Sequence, residues 1–129
     1  MANVKLGTKA VGSIVKIKVN GASKDFIVVQ QGNPNTGTYD ASCDGTWLLM
    51  KDIYTTSTFG NNNSYKDSSI HTYLNGTFYN LIDSNIRAAI KQVKIPYQNG
   101  TGSGGSLATG SNGLSTKVFL LSGYEVGWT

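Results

Sequence analysis

The sequence is poor in charge, and above all in acid. Only 14% of its 129 residues are Asp, Glu, Lys or Arg, against about 25% in an ordinary globular domain. Glu and Arg occur once each, as Glu125 and Arg87, which excludes a coiled coil with its charged flanking positions. The net charge of +4 arises because six Asp and one Glu are few, not because lysines form a block. Lys5, Lys9, Lys16, Lys18 and Lys24 lean toward the N-terminus but are spread out. Nucleic acid is therefore not an expected partner, since such a partner calls for clustered Lys and Arg. The longest uninterrupted aliphatic or aromatic runs, such as Phe26–Val29, are four residues. Spanning or inserting into a membrane needs about 20. Met1–Lys5 carries no apolar signal region, so the expectation is synthesis in a cytoplasm.

The residues that carry chemistry are equally scarce. Cys43 is the one cysteine, so no intrachain disulfide forms. Neighbouring Asp44 is expected to raise its thiol pKa, against a nucleophilic role. His71 is the one histidine and the required base of any Ser-His-Asp system. It falls on a predicted helix with Asp67 four residues earlier, a spacing that reads as local helix support. Glycoside hydrolysis needs two facing carboxylates, yet Asp25, Asp67 and Asp83 occupy predicted turns and caps. Asp40 and Asp44 flank Cys43 but are too few for a Ca²⁺ site. Gly100–Gly105 lacks the Lys-Ser/Thr ending and the helix of a phosphate loop. The expectation is a non-enzyme with no cofactor and no metal.

What the chain does have is small polar residues. Gly, Asn, Ser and Thr make up 54 of the 129 positions, concentrated in 31–45, 55–64 and 98–115. Between these stretches lie apolar segments. Val15, Ile17 and Val19 alternate with Lys16 and Lys18, the period-two pattern of a half-buried strand. Asn20-Gly21 then predicts a tight hairpin, with Asp25–Gln30 as the returning strand. Thr46–Asp52 and Lys117–Ser122 read as buried strands, and Val93–Tyr97 as an edge strand marked by Pro96. Ile70, Tyr73 and Leu74 predict a helix capped by Asp67 or Ser68 and ended by Asn75-Gly76. Phe78, Leu81 and Ile82 repeat the pattern. Ile86, Ala89 and Ile90 form a third piece, capped by Asp83 or Ser84. The expected fold is α+β: mainly antiparallel β-sheet with a short helical segment around residues 67–91. Residues 1–11 form an N-terminal arm, and 12–129 a single domain with a long Gly/Ser-rich loop at 98–115.

Aromatic residues supply the candidate binding site. Trp47, Phe78 and Phe119 read as core. Tyr54, Phe59 and Tyr65 lie in or beside polar loops, and Tyr124 and Trp128 near the C-terminus. Tyrosine and tryptophan beside Asn, Ser and Gly provide rigid contact area next to adaptable hydrogen bonding. Tyr54, Tyr65, Tyr97 and Trp128 are the candidate binding residues.

The run Ser69-Ile70-His71-Thr72-Tyr73-Leu74-Asn75-Gly76-Thr77-Phe78-Tyr79 resembles the S-x-[IL]-R-x-[WY]-L-N-x-x-F-Y segment of an uncharacterised domain family. That family occurs in low-GC Gram-positive bacteria and their phages, on tail and surface proteins, with C-type-lectin-like folds. The likeness continues in Trp47–Lys51, Val93-Lys94-Ile95-Pro96 and Thr116–Val126, and covers residues 12–126. His71 stands where the family has Arg. The Glu-Pro-Asn and Trp-Asn-Asp calcium motifs of true C-type lectins are missing. Members of that family continue with a Trp-rich strand where this sequence stops at Thr129, so the expectation is either a shortened version or a missing remainder. A shorter sheet would have an edge to cover, and so a partner chain. The resemblance thus implies a non-enzymatic module of a phage virion, a capsid decoration, tail or fibre component. Its partners would be other virion proteins or copies of itself. The alternative is a carbohydrate- or host-receptor-binding module using the loop tyrosines.

Overall fold

A computed structural model describes residues 6–59, 64–99 and 106–121. Strands β1 (Ile14–Val19), β2 (Ala22–Gln31) and β3 (Thr46–Met50) form an antiparallel sheet in that order. The alternation in β1 does what it predicts. Ile17 and Val19 are buried, while Lys16 and Lys18 stay exposed. Asn20 and Gly21 both take positive φ, 53° and 78°, as in the type I′ turn that matches the twist of its strands. Val19 therefore pairs with Ala22, and the hairpin register follows from the turn. A bulge between Val28 and Gln30 shifts the pairing of β2 with β3.

Helix α1 (Ser69–Tyr73) runs through a π turn at Leu74–Phe78 into α2 (Tyr79–Leu81), and α3 (Ser84–Arg87) follows. Ser68 is the cap: its Oγ accepts from the His71 N–H at 3.1 Å. Asp83 occupies the cap position of α3 without a side-chain cap bond. The helix does not stop at Asn75-Gly76. Leu74 keeps α-helical angles, as do Tyr73, Phe78 and Tyr79, and continuation carries Phe78 and Ile82 to the sheet. There they bury with Ile17 and Val19, against Val15, Phe26, Leu48 and Met50. Backbone bonds join helix end to sheet edge: the Asn20 N–H donates to the Leu81 carbonyl at 2.7 Å, and the Asp83 N–H to that of Lys18 at 3.0 Å.

The remaining strands are three residues each. β4 (Val93–Ile95) pairs with β7 (Leu114–Thr116), and β5 (Tyr97–Asn99) with β6 (Ser106–Ala108), all antiparallel. Two expectations change here. The stretch 98–115 is not a continuous loop, because small polar residues with no apolar alternation still pair through their backbones. The strand expected at Lys117–Ser122 instead begins at Leu114 and ends at Thr116, and Lys117–Leu121 leave the ladder. Ser122 lies outside the described residues. At Gly113 a β-carbon would lie 2.7 Å from the Ile95 carbonyl oxygen, so β4 and the turn into β7 touch backbone to backbone. A second core of Tyr39, Cys43, Ile95 and Leu114 joins these strands to Trp47, Tyr65, Tyr97 and Phe119. From Leu6 onward the N-terminal arm is tied down, Gln31 Nε2 donating to the carbonyls of Leu6 and Lys9 at 2.8 Å each. The architecture is α+β with antiparallel sheets. Among the described residues no helix is long and apolar enough to cross a membrane.

Candidate functional site

The second core opens to the surface as a groove of about 260 Å³ lined by Phe59, Tyr65, Ile95, Pro96, Leu120 and Leu121. Its walls come from separate parts of the chain. Tyr65 opens the 3₁₀ turn Tyr65–Asp67 just before the helix. Its carbonyl accepts from the N–H and the Oγ of Ser68, at 3.0 and 2.6 Å. The Ser69 N–H donates to the Phe59 carbonyl at 2.7 Å and holds that loop against the helix start. Ile95 ends β4, and at Pro96 the missing N–H breaks the ladder before β5. Leu120 and Leu121 complete the far wall. The Leu120 N–H donates to the Tyr65 hydroxyl at 3.2 Å, and burial pushes that phenol above its usual pKa.

Asn75 places this far wall. It sits in the π turn, a helix variant that often re-aims a side chain at a functional site. Its Oδ1 accepts from the Lys117 N–H at 2.8 Å, the Val118 N–H at 3.1 Å and the Thr116 hydroxyl at 3.0 Å. Its Nδ2 donates to the Val118 carbonyl at 2.8 Å and the His71 carbonyl at 3.1 Å. One amide thus serves backbone groups that a neighbouring strand would otherwise serve, which is why the expected strand ends early. Phe119 then packs edge-on against Trp47 at 5.5 Å, leaving Leu120 and Leu121 at the rim, 47% and 50% exposed. Phe59 is 43% exposed on the opposite rim.

The four candidate tyrosine and tryptophan positions separate. Tyr65 lines the groove, and Tyr97 packs against the same core. Tyr54 belongs to the other core, its ring edge-on to Phe78 at 5.3 Å. It borders a depression of about 60 Å³ with Lys24, Asp25, Met50, Asp52 and Ile53. Trp128 lies outside the described residues. Sequence reasoning missed Asn75, which reads as a helix stop, and Leu120 and Leu121, which read as buried strand. A run of Val118, Phe119, Leu120 and Leu121 without alternation was the available signal, since a half-buried strand alternates.

The reactive groups are placed as structural ones. Cys43 is 2% exposed and its thiol donates to the Lys94 carbonyl at 3.1 Å. Burial raises its pKa first, with the charge of Asp40, not Asp44, adding to it. The His71 ring meets Tyr65 at 5.1 Å and lies 3.4 Å from Asn75 Nδ2. Burial holds its pKa below the usual value. Among the described residues no three of His, Cys, Asp and Glu gather as metal ligands. The groove lining offers apolar surface and no ionisable group other than a hydroxyl already engaged, which suits docking of an apolar segment.

No curated protein and no solved structure matches the chain. Residues 44–129 match the profile of DUF6273, a domain of unknown function. The match takes in β3, the helix, both small sheets and every wall of the groove. It spans two thirds of the sequence, and the chain belongs to that family.

Proposed function

We propose that the chain is a non-enzymatic structural module of a phage virion, a capsid decoration, tail or fibre component. It seats on other virion proteins or on further copies of itself. In this reading the α+β fold is a C-type-lectin-like domain or a shortened relative of one. The observation that carries the docking role is the groove, where Phe59, Leu120 and Leu121 stand exposed around Tyr65 and Pro96. Exposed large apolar side chains grouped on one surface mark an interaction site, whereas single ones do not. The virion assignment rests on the likeness of Ser69–Tyr79 and Thr116–Val126 to segments of phage tail and surface proteins.

The test is fractionation of lysates from cells producing the phage. The chain is expected to sediment with purified particles at a fixed ratio to the major virion proteins. A chain that stays wholly in the soluble fraction overturns the reading.

A specific observation favours a second reading, binding of a host glycan or receptor. The half-buried Tyr54 borders its depression beside two carboxylates, Asp25 and Asp52, and the Lys24 ammonium lies 5.9 Å from its ring centre. An aromatic face beside hydrogen-bonding groups suits a sugar ring. Binding on a glycan array that disappears in Tyr54→Ala, with the fold intact, supports this reading. Binding unaffected by that change removes this site from it.

A further inference from the structure

The three-stranded sheet has two faces: the first core accounts for one, and at the end of the other Trp47 turns into the second core. Val15, Phe26, Leu48 and Met50 point with Ile17 and Val19 toward the helix. Side chains alternate along each strand, so the intervening residues form the outer face. The register assembles them into rows. Ile14 pairs with Ile27, and Ile27 with Leu49, giving an aliphatic row across all three strands. Ile14 is 47% exposed, and Val11 and Val29 nearby are 60% and 38% exposed. None of these five residues packs against either core cluster. The next row is ionic. Lys16 pairs with Asp25, Nζ to Oδ1 at 2.7 Å, and the Lys51 N–H donates to the Asp25 carbonyl at 2.9 Å. Lys16 and Lys51 both lower the pKa of Asp25, chiefly through the Lys16 hydrogen bond. Lys18 follows beside Ser23.

This face is therefore divided. One half is aliphatic, and the other carries Lys16, Lys18 and Lys51 with one carboxylate, Asp25, that Lys16 already engages. An aliphatic sheet face packs against another sheet or a helix. The excess of lysine says what must border the partner's apolar ridge, because complementary charge selects the partner and its orientation. A second copy would bring the same three lysines with the same occupied carboxylate, so the face does not complement itself.

We propose that the outer face of β1, β2 and β3 is a second docking surface, for a protein whose apolar ridge is bordered by carboxylates. The ridge lies across Ile14, Ile27 and Leu49, and the carboxylates meet Lys18 and Lys51. This surface is separate from the groove and does not rest on the virion reading.

The test uses two synthetic strand peptides, one alternating Ile with Glu and the other Ile with Lys. Each is titrated into the isotope-labelled full chain while amide and methyl resonances are followed. The expected result is binding of the Glu peptide alone, with shifts confined to Ile14, Ile27, Val29 and Leu49 and the neighbouring lysine rows. Lys18→Glu with Lys51→Glu, both exposed positions, should leave the rest of the spectrum unchanged and weaken that binding at least tenfold. Four results overturn the proposal. They are equal binding of the two peptides, shifts centred on Phe59 and Leu121, and self-association of the free chain through this face. The fourth is no binding of the Glu peptide, whether or not the chain binds anionic lipid vesicles.

Discussion

In the sheet of β1, β2 and β3, backbone pairs with backbone. The hairpin alone has six registered pairs, and its turn sets their register. From Val93 to Leu121 the strands are three residues long, and side chains make up the difference. Asn75 holds Thr116–Val118. The Lys94 N–H donates to the Ser42 hydroxyl at 3.0 Å, and its carbonyl accepts from Cys43. A long ladder distributes its stability over many bonds, whereas a clamped segment depends on a few side chains. The clamped region carries the groove, which fits the general pattern of binding surfaces built on irregular backbone over a rigid scaffold.

The largest way to break this contrast is to remove what both regions share. Phe78 is 7% exposed and packs between sheet and helix. Phe78→Ala is expected to cost about 3–5 kcal/mol, the range for deleting a buried aromatic side chain. Urea denaturation should show every probe losing stability together. Asn75→Ala should cost about 2–3 kcal/mol by leaving several backbone groups without partners. Hydrogen exchange should show the loss concentrated in residues 114–121, with protection in β1 and β2 retained. Uniform loss across both regions would erase the distinction. Gly113→Ala forces a backbone shift against Ile95, for about 1–2 kcal/mol, and it too should loosen β4 and β7 before the large sheet.

The smallest effect sharpens the contrast by pH. Burial holds the folded pKa of His71 below 6.5, so the unfolded chain binds the proton more readily. The neutral ring's contribution is then complete above the unfolded pKa, and stability falls as pH drops through 6.5 toward the folded value. Denaturation midpoints measured between pH 7.5 and 5.5 should decline, and His71→Gln should flatten that decline.

The same difference explains what could be read in the sequence. The hairpin was legible because alternation and Asn20-Gly21 are local signals that agree with each other. Ser68 was legible as a cap for the same reason. Asn75 was misread because its role depends on partners 41 to 43 positions away. Leu-Asn-Gly is locally a good helix ending, and only tertiary contact turns it into a clamp. The groove was half visible. Tyr65 and Tyr97 meet at one core, but Leu120 and Leu121 read as buried strand until Asn75 is seen to end that strand. Composition alone groups Tyr54 with them, and the helix draws it to the other core.

In the proposed function the groove beside Tyr65 is the surface by which the chain would take its place in a larger particle. The most direct measurement is the amount of chain in purified particles assembled with wild-type or Leu121→Glu protein. Circular dichroism should first show that the exposed substitution leaves the fold intact. At least a tenfold loss of incorporation is the predicted result. Incorporation of Leu121→Glu at the wild-type level would contradict it.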